Sequence, residues 1–129
     1  MEIIVVDDGS TDQTGEIAEL YAKWFPEIVT VVHKENGGHG SGVNTGLKFA
    51  KGRYFKVVDF DDWLEETAYR ELLKKIKIWE ETKNFRPSQY LIMHALIYRT
   101  DVLRKSGVVL PEHTLSVNYP VLYGKNRKL

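Results

Sequence analysis

Glu2-Ile3-Ile4-Val5-Val6-Asp7-Asp8-Gly9-Ser10-Thr11-Asp12 is the stretch that decides the fold. Its opening run of β-branched residues does not alternate with polar ones, which is the pattern of a parallel strand covered on both faces. The acidic and glycine-bearing residues after it form a dense turn and helix-start signal, with Ser10 or Asp12 as the expected cap. The helix that follows carries an amphipathic stripe, Ile17, Leu20, Tyr21 and Trp24, and stops before Pro26.

Residues 28–33 read as a second strand. Asn36-Gly37-Gly38-His39-Gly40-Ser41-Gly42 leads into a helix with Val43, Leu47 and Ala50 on one side, ended by Gly52, and Arg53 to Val58 reads as a third strand. Strand, helix, strand, helix, strand implies an α/β fold whose parallel sheet is joined by right-handed crossovers. Beyond it, a helix from about Trp63 to Glu81 carries Leu64, Ala68, Leu72, Ile76 and Trp79 along one stripe, with Glu66–Arg70 and Glu71–Lys75 as i,i+4 pairs. Lys83 to Ser88 is a linker, Tyr90 to Tyr98 a fourth strand, and Asp101 to Lys105 a short helix stopped at Ser106-Gly107.

The 129 residues are one domain by length, with a soluble protein's 43% hydrophobic and 28% charged content. Eighteen basic side chains balance eighteen acidic ones, so no overall field calls for a nucleic acid. The charge is uneven: acid gathers in the half ending at Asp62, and base in the other. Without cysteine there is no disulfide framework, thiolate metal site or cysteine nucleophile. No signal peptide or membrane-length apolar run is evident, which makes the cytoplasm the expectation, with membrane contact peripheral at most, at the inner face.

Connectivity puts the three loops after the strands on one rim, where open α/β sheets bind ligands. A carboxylate of the Asp7-Asp8 turn can accept an N–H from a nucleobase. Glycines in the second loop let a backbone approach a pyrophosphate at a helix N-terminus. The loop is no Walker motif, lacking a lysine after the last glycine, and Val43 stands where the dinucleotide fingerprint needs a third glycine. His39 reads as a hydrogen-bond donor at most, and His33, His94 and His113 form no recognisable cluster. In Asp59-Phe60-Asp61-Asp62, crowded carboxylates suit a hard divalent cation that also takes phosphate oxygens, whereas the plainer reading has Asp61 or Asp62 cap the next helix.

These residues in order resemble the family 2 glycosyltransferases: Val5-Val6-Asp7-Asp8-Gly9-Ser10-Thr11-Asp12, Glu35-Asn36-Gly37-Gly38, Asn44-Thr45-Gly46, Ala50-Lys51-Gly52-Arg53-Tyr54 and Val58-Asp59-Phe60-Asp61-Asp62-Trp63. The resemblance covers roughly residues 2 to 66. It implies a partial GT-A fold, a Rossmann-like, three-layer nucleotide-diphospho-sugar transferase sandwich with a mainly parallel sheet. It places a nucleotide on Asp7, Asp8, Ser10, Gly37, Gly38, Asn44 and Asp59, with Asp8 on the base, and Mn²⁺ or Mg²⁺ on Asp59 and Asp61. The implied donor is a nucleotide-diphosphate sugar, a uridine-linked one as first expectation. The implied acceptor is a saccharide or lipid-linked molecule, and the chemistry inverting displacement at the anomeric carbon.

Downstream, Met93-His94-Ala95, Tyr98-Arg99-Thr100 and Leu110-Pro111-Glu112-His113-Thr114 resemble the acceptor-side region of some bacterial members. The expected division is residues 1–82 for nucleotide, sugar and metal, and residues 83–129 for an acceptor-side remnant of the same domain. Relatives carry a further strand and helix before the one that opens this chain, and a catalytic Asp where this chain has Asn118. An amide cannot take a proton at neutral pH, which leaves Glu112 as the remaining candidate base. A truncated, weakly active member is therefore expected. Its rivals are a non-catalytic nucleotide- or partner-binding remnant and a nucleotidyltransferase. With a strand missing, the expected order is Ile28–Val32, Ile3–Val6, Tyr54–Val58, with Leu91–Tyr98 antiparallel on the far side.

Overall fold

The computed structural model describes residues 1–59, 61–82 and 97–113. Phe60, the linker, most of the expected fourth strand, the Met93-His94-Ala95 stretch and Asn118 lie outside the described residues. The chain divides into two compact units, Met1–Phe55 with the segment from Tyr98, and Lys56–Ile97.

The first unit begins with β1 (Ile3–Asp8), α1 (Thr14–Trp24), β2 (Val29–Lys34) and α2 (His39–Phe49). β1 and β2 pair in parallel, Ile3 opposite Val29 through Asp8 opposite Lys34. Alternation along β1 sends Asp7 to one face and Val6 and Asp8 to the other. A Cβ on Gly15 of α1 would lie 2.7 Å from Asp7 Oδ2, and one on Gly46 of α2 would lie 3.7 Å from Val6. The helices therefore cover opposite faces, giving the three-layer α/β arrangement expected of the GT-A type.

α1 departs from its sequence pattern. It turns its small-residue side, Gly15, Ala18 and Ala22, to the sheet, with Ala18 only 7% exposed. The stripe Ile17, Leu20, Tyr21 and Trp24 faces out. Small side chains let the helix sit close to β2, and the large ones then have no sheet to meet. α2 begins at His39, so the second half of the glycine-rich stretch is helical rather than loop.

The third strand is shorter than expected. β3 is only Tyr54–Phe55 and pairs antiparallel with β4 (Tyr98–Arg99), just ahead of α4 (Thr100–Lys105). Thr100, nearly fully buried, ties this corner: its N–H donates to Arg53 O at 2.9 Å and its Oγ1 to Gly52 O at 2.6 Å. The expected ladder between Ile3–Val6 and Tyr54–Val58 does not form, because β3 loses strand geometry after Phe55 and β4 takes its edge. Among the described residues β1 pairs only with β2. Val6 and Phe55 instead approach the same point of α2, where Gly46 leaves room for both.

The second unit contains α3 (Glu66–Thr82), which starts three residues later than expected. Glu65 supplies its cap, its carboxylate accepting the N–H groups of Thr67 at 3.0 Å and Ala68 at 2.5 Å. That displaces the reading of Asp61 or Asp62 as the cap. Arg70 pairs with Glu66 at 2.6 Å as expected, but Glu71 takes Lys74 at 2.7 Å rather than Lys75. Leu72 and Ile76 are the half-buried members of the expected stripe, while Leu64 and Ala68 are exposed.

Candidate functional site

The register of the β1–β2 ladder aligns the polar ends of both strands, setting Asp7 opposite His33 and Asp8 opposite Lys34. The pleat then assigns the two pairs to opposite faces.

On the α2 face, Asp8 closes the glycine loop. Its Oδ1 accepts the Gly37 N–H at 3.0 Å and the Lys34 ammonium, and its Oδ2 accepts the Gly38 N–H at 2.7 Å. Burial pushes the Asp8 carboxyl upward, but Lys34 and the two amides outweigh it and hold the group below its usual range. Gly38 sits at φ 81, a left-handed conformation that glycine adopts without strain, and is the residue from which α2 starts. Lys34 also donates to Glu35 O, so two of its three N–H donors serve the loop.

On the α1 face, Asp7 is turned into the fold. Its Oδ1 accepts the Ser10 N–H at 3.0 Å and its Oδ2 lies 2.8 Å from His33 Nδ1, while His33 Nε2 lies 2.8 Å from Glu19 Oε1. Ser10 first and His33 second pull Asp7 down to about 2. The same carboxylates, Asp7 first and Glu19 second, raise His33. His33 therefore belongs to a cluster that the sequence reading missed. Asp12, not Ser10, meets the helix start, accepting the Thr14 N–H at 3.0 Å.

A strap from Leu110 to His113 returns across α2. Asn44 Nδ2 donates to Leu110 O and Leu110 N–H to Asn44 Oδ1, both at 2.9 Å. His113, at φ 56, donates its N–H to Gly37 O at 2.6 Å. A side chain at Gly40 would run into the Pro111 carbonyl. The strap brings Glu112 to a groove of about 430 Å³ also lined by Asn44, Leu47 and Lys48. Asn44, expected on the nucleotide, thus has both ends of its amide committed to the strap.

In the second unit, the Asp62 N–H donates to Asp59 O at 3.0 Å, a tight turn that gathers Asp59, Asp61 and Asp62. Burial pushes the neighbouring Lys56 ammonium down, against the pull of Asp62 and Asp59. Among the described residues no three His, Cys, Asp or Glu side chains converge enough to hold a metal alone. The carboxylates of this turn fit a hard divalent ion that completes its shell with phosphate and water oxygens.

A parallel α/β sandwich whose strand-end acid fastens a glycine-rich helix start has the architecture of a nucleotide-binding domain. The chain belongs to glycosyltransferase family 2: the family described as Glycosyl transferase family 2 matches residues 1–81. It is 45% identical over 75 residues to the uncharacterized glycosyltransferase EpsJ of Bacillus subtilis, covering 58% of this chain and 22% of that protein. It is 42% identical over 76 residues to the glycosyltransferase GlyA of Streptococcus pneumoniae, covering 59% and 11%. It is 41% identical over 76 residues to a dolichyl-phosphate beta-glucosyltransferase of Trichomonas vaginalis, covering 59% and 23%. The chain thus spans less than a quarter of the length of each of these relatives. Among the described residues no helix is long and apolar enough to cross a membrane.

Proposed function

We propose that the chain binds the nucleotide-diphosphate half of a sugar donor and serves inverting, metal-dependent sugar transfer. The observation that carries this reading is the Asp8 carboxylate holding the Gly37 and Gly38 amides at the start of α2. Its remaining acceptor capacity takes an imino N–H of the base, uracil in the first instance, while Gly37 and Gly38, whose amides Asp8 accepts, hold that carboxylate in place. Asp7 and Ser10 act through the turn that aims Asp8, and Asn44 through the strap. Asp59 and Asp61 would hold Mn²⁺ or Mg²⁺, which supplies charge stabilisation for the departing diphosphate.

In the reaction itself the acceptor oxygen bonds to the anomeric carbon from the side opposite the diphosphate. The carbon–oxygen bond to that diphosphate breaks, and a carboxylate takes the hydroxyl proton. Glu112 at its groove is the candidate for that proton. The dolichyl-phosphate relative makes a lipid-linked acceptor reasonable beside a saccharide, with the domain working in the cytoplasm at the inner membrane face. The chain taken alone is a poor catalyst, since the family resemblance sets Asn118 where relatives carry the base, and a positioned base contributes ~10²–10⁴-fold. Asn118 equally favours the second reading, a nucleotide- or partner-binding domain without turnover.

Calorimetric titration with uridine diphosphate, with and without Mn²⁺, tests binding. Heat only with the cation, lost in Asp61→Ala, is expected; equal heats in both sink the metal assignment. Robust transfer from uridine-linked donors by the unmodified chain would overturn the poor-catalyst assignment.

A further inference from the structure

α1 is apolar on two sides. Its small-residue side lies on the sheet, and Ile17, Leu20, Tyr21 and Trp24 form a second, outward stripe on which Tyr21 is 50% and Trp24 63% exposed. The stripe continues into Phe25, Ile28 and Ile3, linked through the Ile28 N–H to Phe25 O and the Ile3 N–H to Ile28 O. Tyr21 and Trp24 stack edge to face at 5.4 Å, so the aromatic part is already ordered before anything binds. A helix with apolar residues on both sides belongs between two layers, and the described residues of its unit provide one.

We propose that this face is covered by a second copy of the chain, with the two α1 helices antiparallel about a two-fold axis level with Glu19 and Leu20. Two observations select this occupant. The first is charge. Glu16 and Lys23 lie on the same flank of the stripe, seven residues apart, and are both exposed. Antiparallel pairing brings like flanks together in reversed order, so Glu16 of each copy meets Lys23 of the other, twice per dimer. The second is area. The exposed part of the patch is on the order of 600 Å² per copy, which doubled reaches the lower bound of a specific interface, about 1,200 Å². The contact leaves the candidate site open, because its widest part, Trp24 to Ile28 with Ile3, is at the end of the strands opposite Asp7 and Asp8.

Sedimentation equilibrium of the full chain at low salt tests the proposal. A reversible monomer–dimer equilibrium is expected. Trp24→Glu should weaken it ~100-fold or more, with circular dichroism confirming a folded helix. Lys23→Glu sets like charges opposite each other and should weaken the dimer roughly tenfold. Combining it with Glu16→Lys restores complementarity and should return affinity to within about threefold of the original. A chain that stays monomeric to about 100 μM overturns the proposal, as does a dimer indifferent to Lys23→Glu or not rescued by the double exchange. A monomer that sediments with phosphatidylglycerol vesicles would assign the stripe to a lipid surface instead.

Discussion

Asp8 and Lys34 stand opposite each other in the parallel ladder, and the Lys34 ammonium donates to the carboxylate that also receives the Gly37 and Gly38 amides. One side chain thus joins the end of β1, the end of β2 and the start of α2. The acid proposed to meet the base is also the fastening of the loop beside it, so its loss should act on stability and on binding together.

Asp8→Ala should destabilise the first unit by about 2 kcal/mol, since charge-assisted hydrogen bonds are lost and two amides are left without their acceptor. Amide exchange at Gly37 and Gly38 should speed up with it. Unchanged denaturant midpoints and exchange rates would remove Asp8 from this role.

His33 makes the α1 clamp pH-dependent. With carboxylates on both ring nitrogens, the imidazole in its protonated form donates to both. Its folded pKa lies above the usual 6.5, so its contribution is complete below about 6.5 and is lost as pH rises through the raised value. Asp7, held at about 2, contributes above its usual 3.8 and fails only as pH falls toward 2. Between about pH 4 and 6.5 the clamp is intact. The thermal midpoint should therefore fall between pH 6 and 9 in the parent chain, and fall less in His33→Gln. An NMR titration placing His33 at 6.5 or lower would contradict this.

Glu65 and Asp61 are separable. Glu65→Ala removes the acceptor of the Thr67 and Ala68 amides and should lower helicity in the first turn of α3. Asp61→Ala should leave that helicity unchanged and abolish cation-dependent nucleotide binding. Loss of α3 helicity in Asp61→Ala would restore the cap reading.

Gly40→Ala should detach the strap, because the new methyl has no room beside the Pro111 carbonyl. Overpacking of this kind costs about 1–3 kcal/mol. The His113 amide, donated to Gly37 O, should lose its protection first. Retained protection with unchanged stability would mean the strap can move aside cheaply.

The unalternating run at Ile3–Val6 and the turn after it suffice to read β1 and its parallel pairing, whereas α2 starts inside the stretch that reads as a glycine-rich loop. The turn at Asp59–Asp62 is legible as the polar stretch that follows the third strand. Periodicity located the stripe of α1 but not its direction, which the opposing small residues Gly15, Ala18 and Ala22 set by allowing close approach. Sliding Glu2–Asp8 along Ile28–Lys34 would have paired Asp7 with His33 and Asp8 with Lys34, a signal present in the two strands but invisible in either alone. The short β3 and the strap depend on contacts from residues beyond 97, which no local pattern encodes.

The strap also dates the site within the life of the chain. Asn44 and Leu110 are 66 residues apart, and the Gly37 carbonyl waits for the amide of His113. On the ribosome, β1, β2 and α2 can emerge and pair while the glycine loop still lacks its last fastenings, for chains fold from the N-terminus as they are made. A nascent domain would thus acquire its sheet early and its finished loop late. Pulse-labelling of stalled chains ending before and after residue 113 should show protection at Gly37 only in the longer ones.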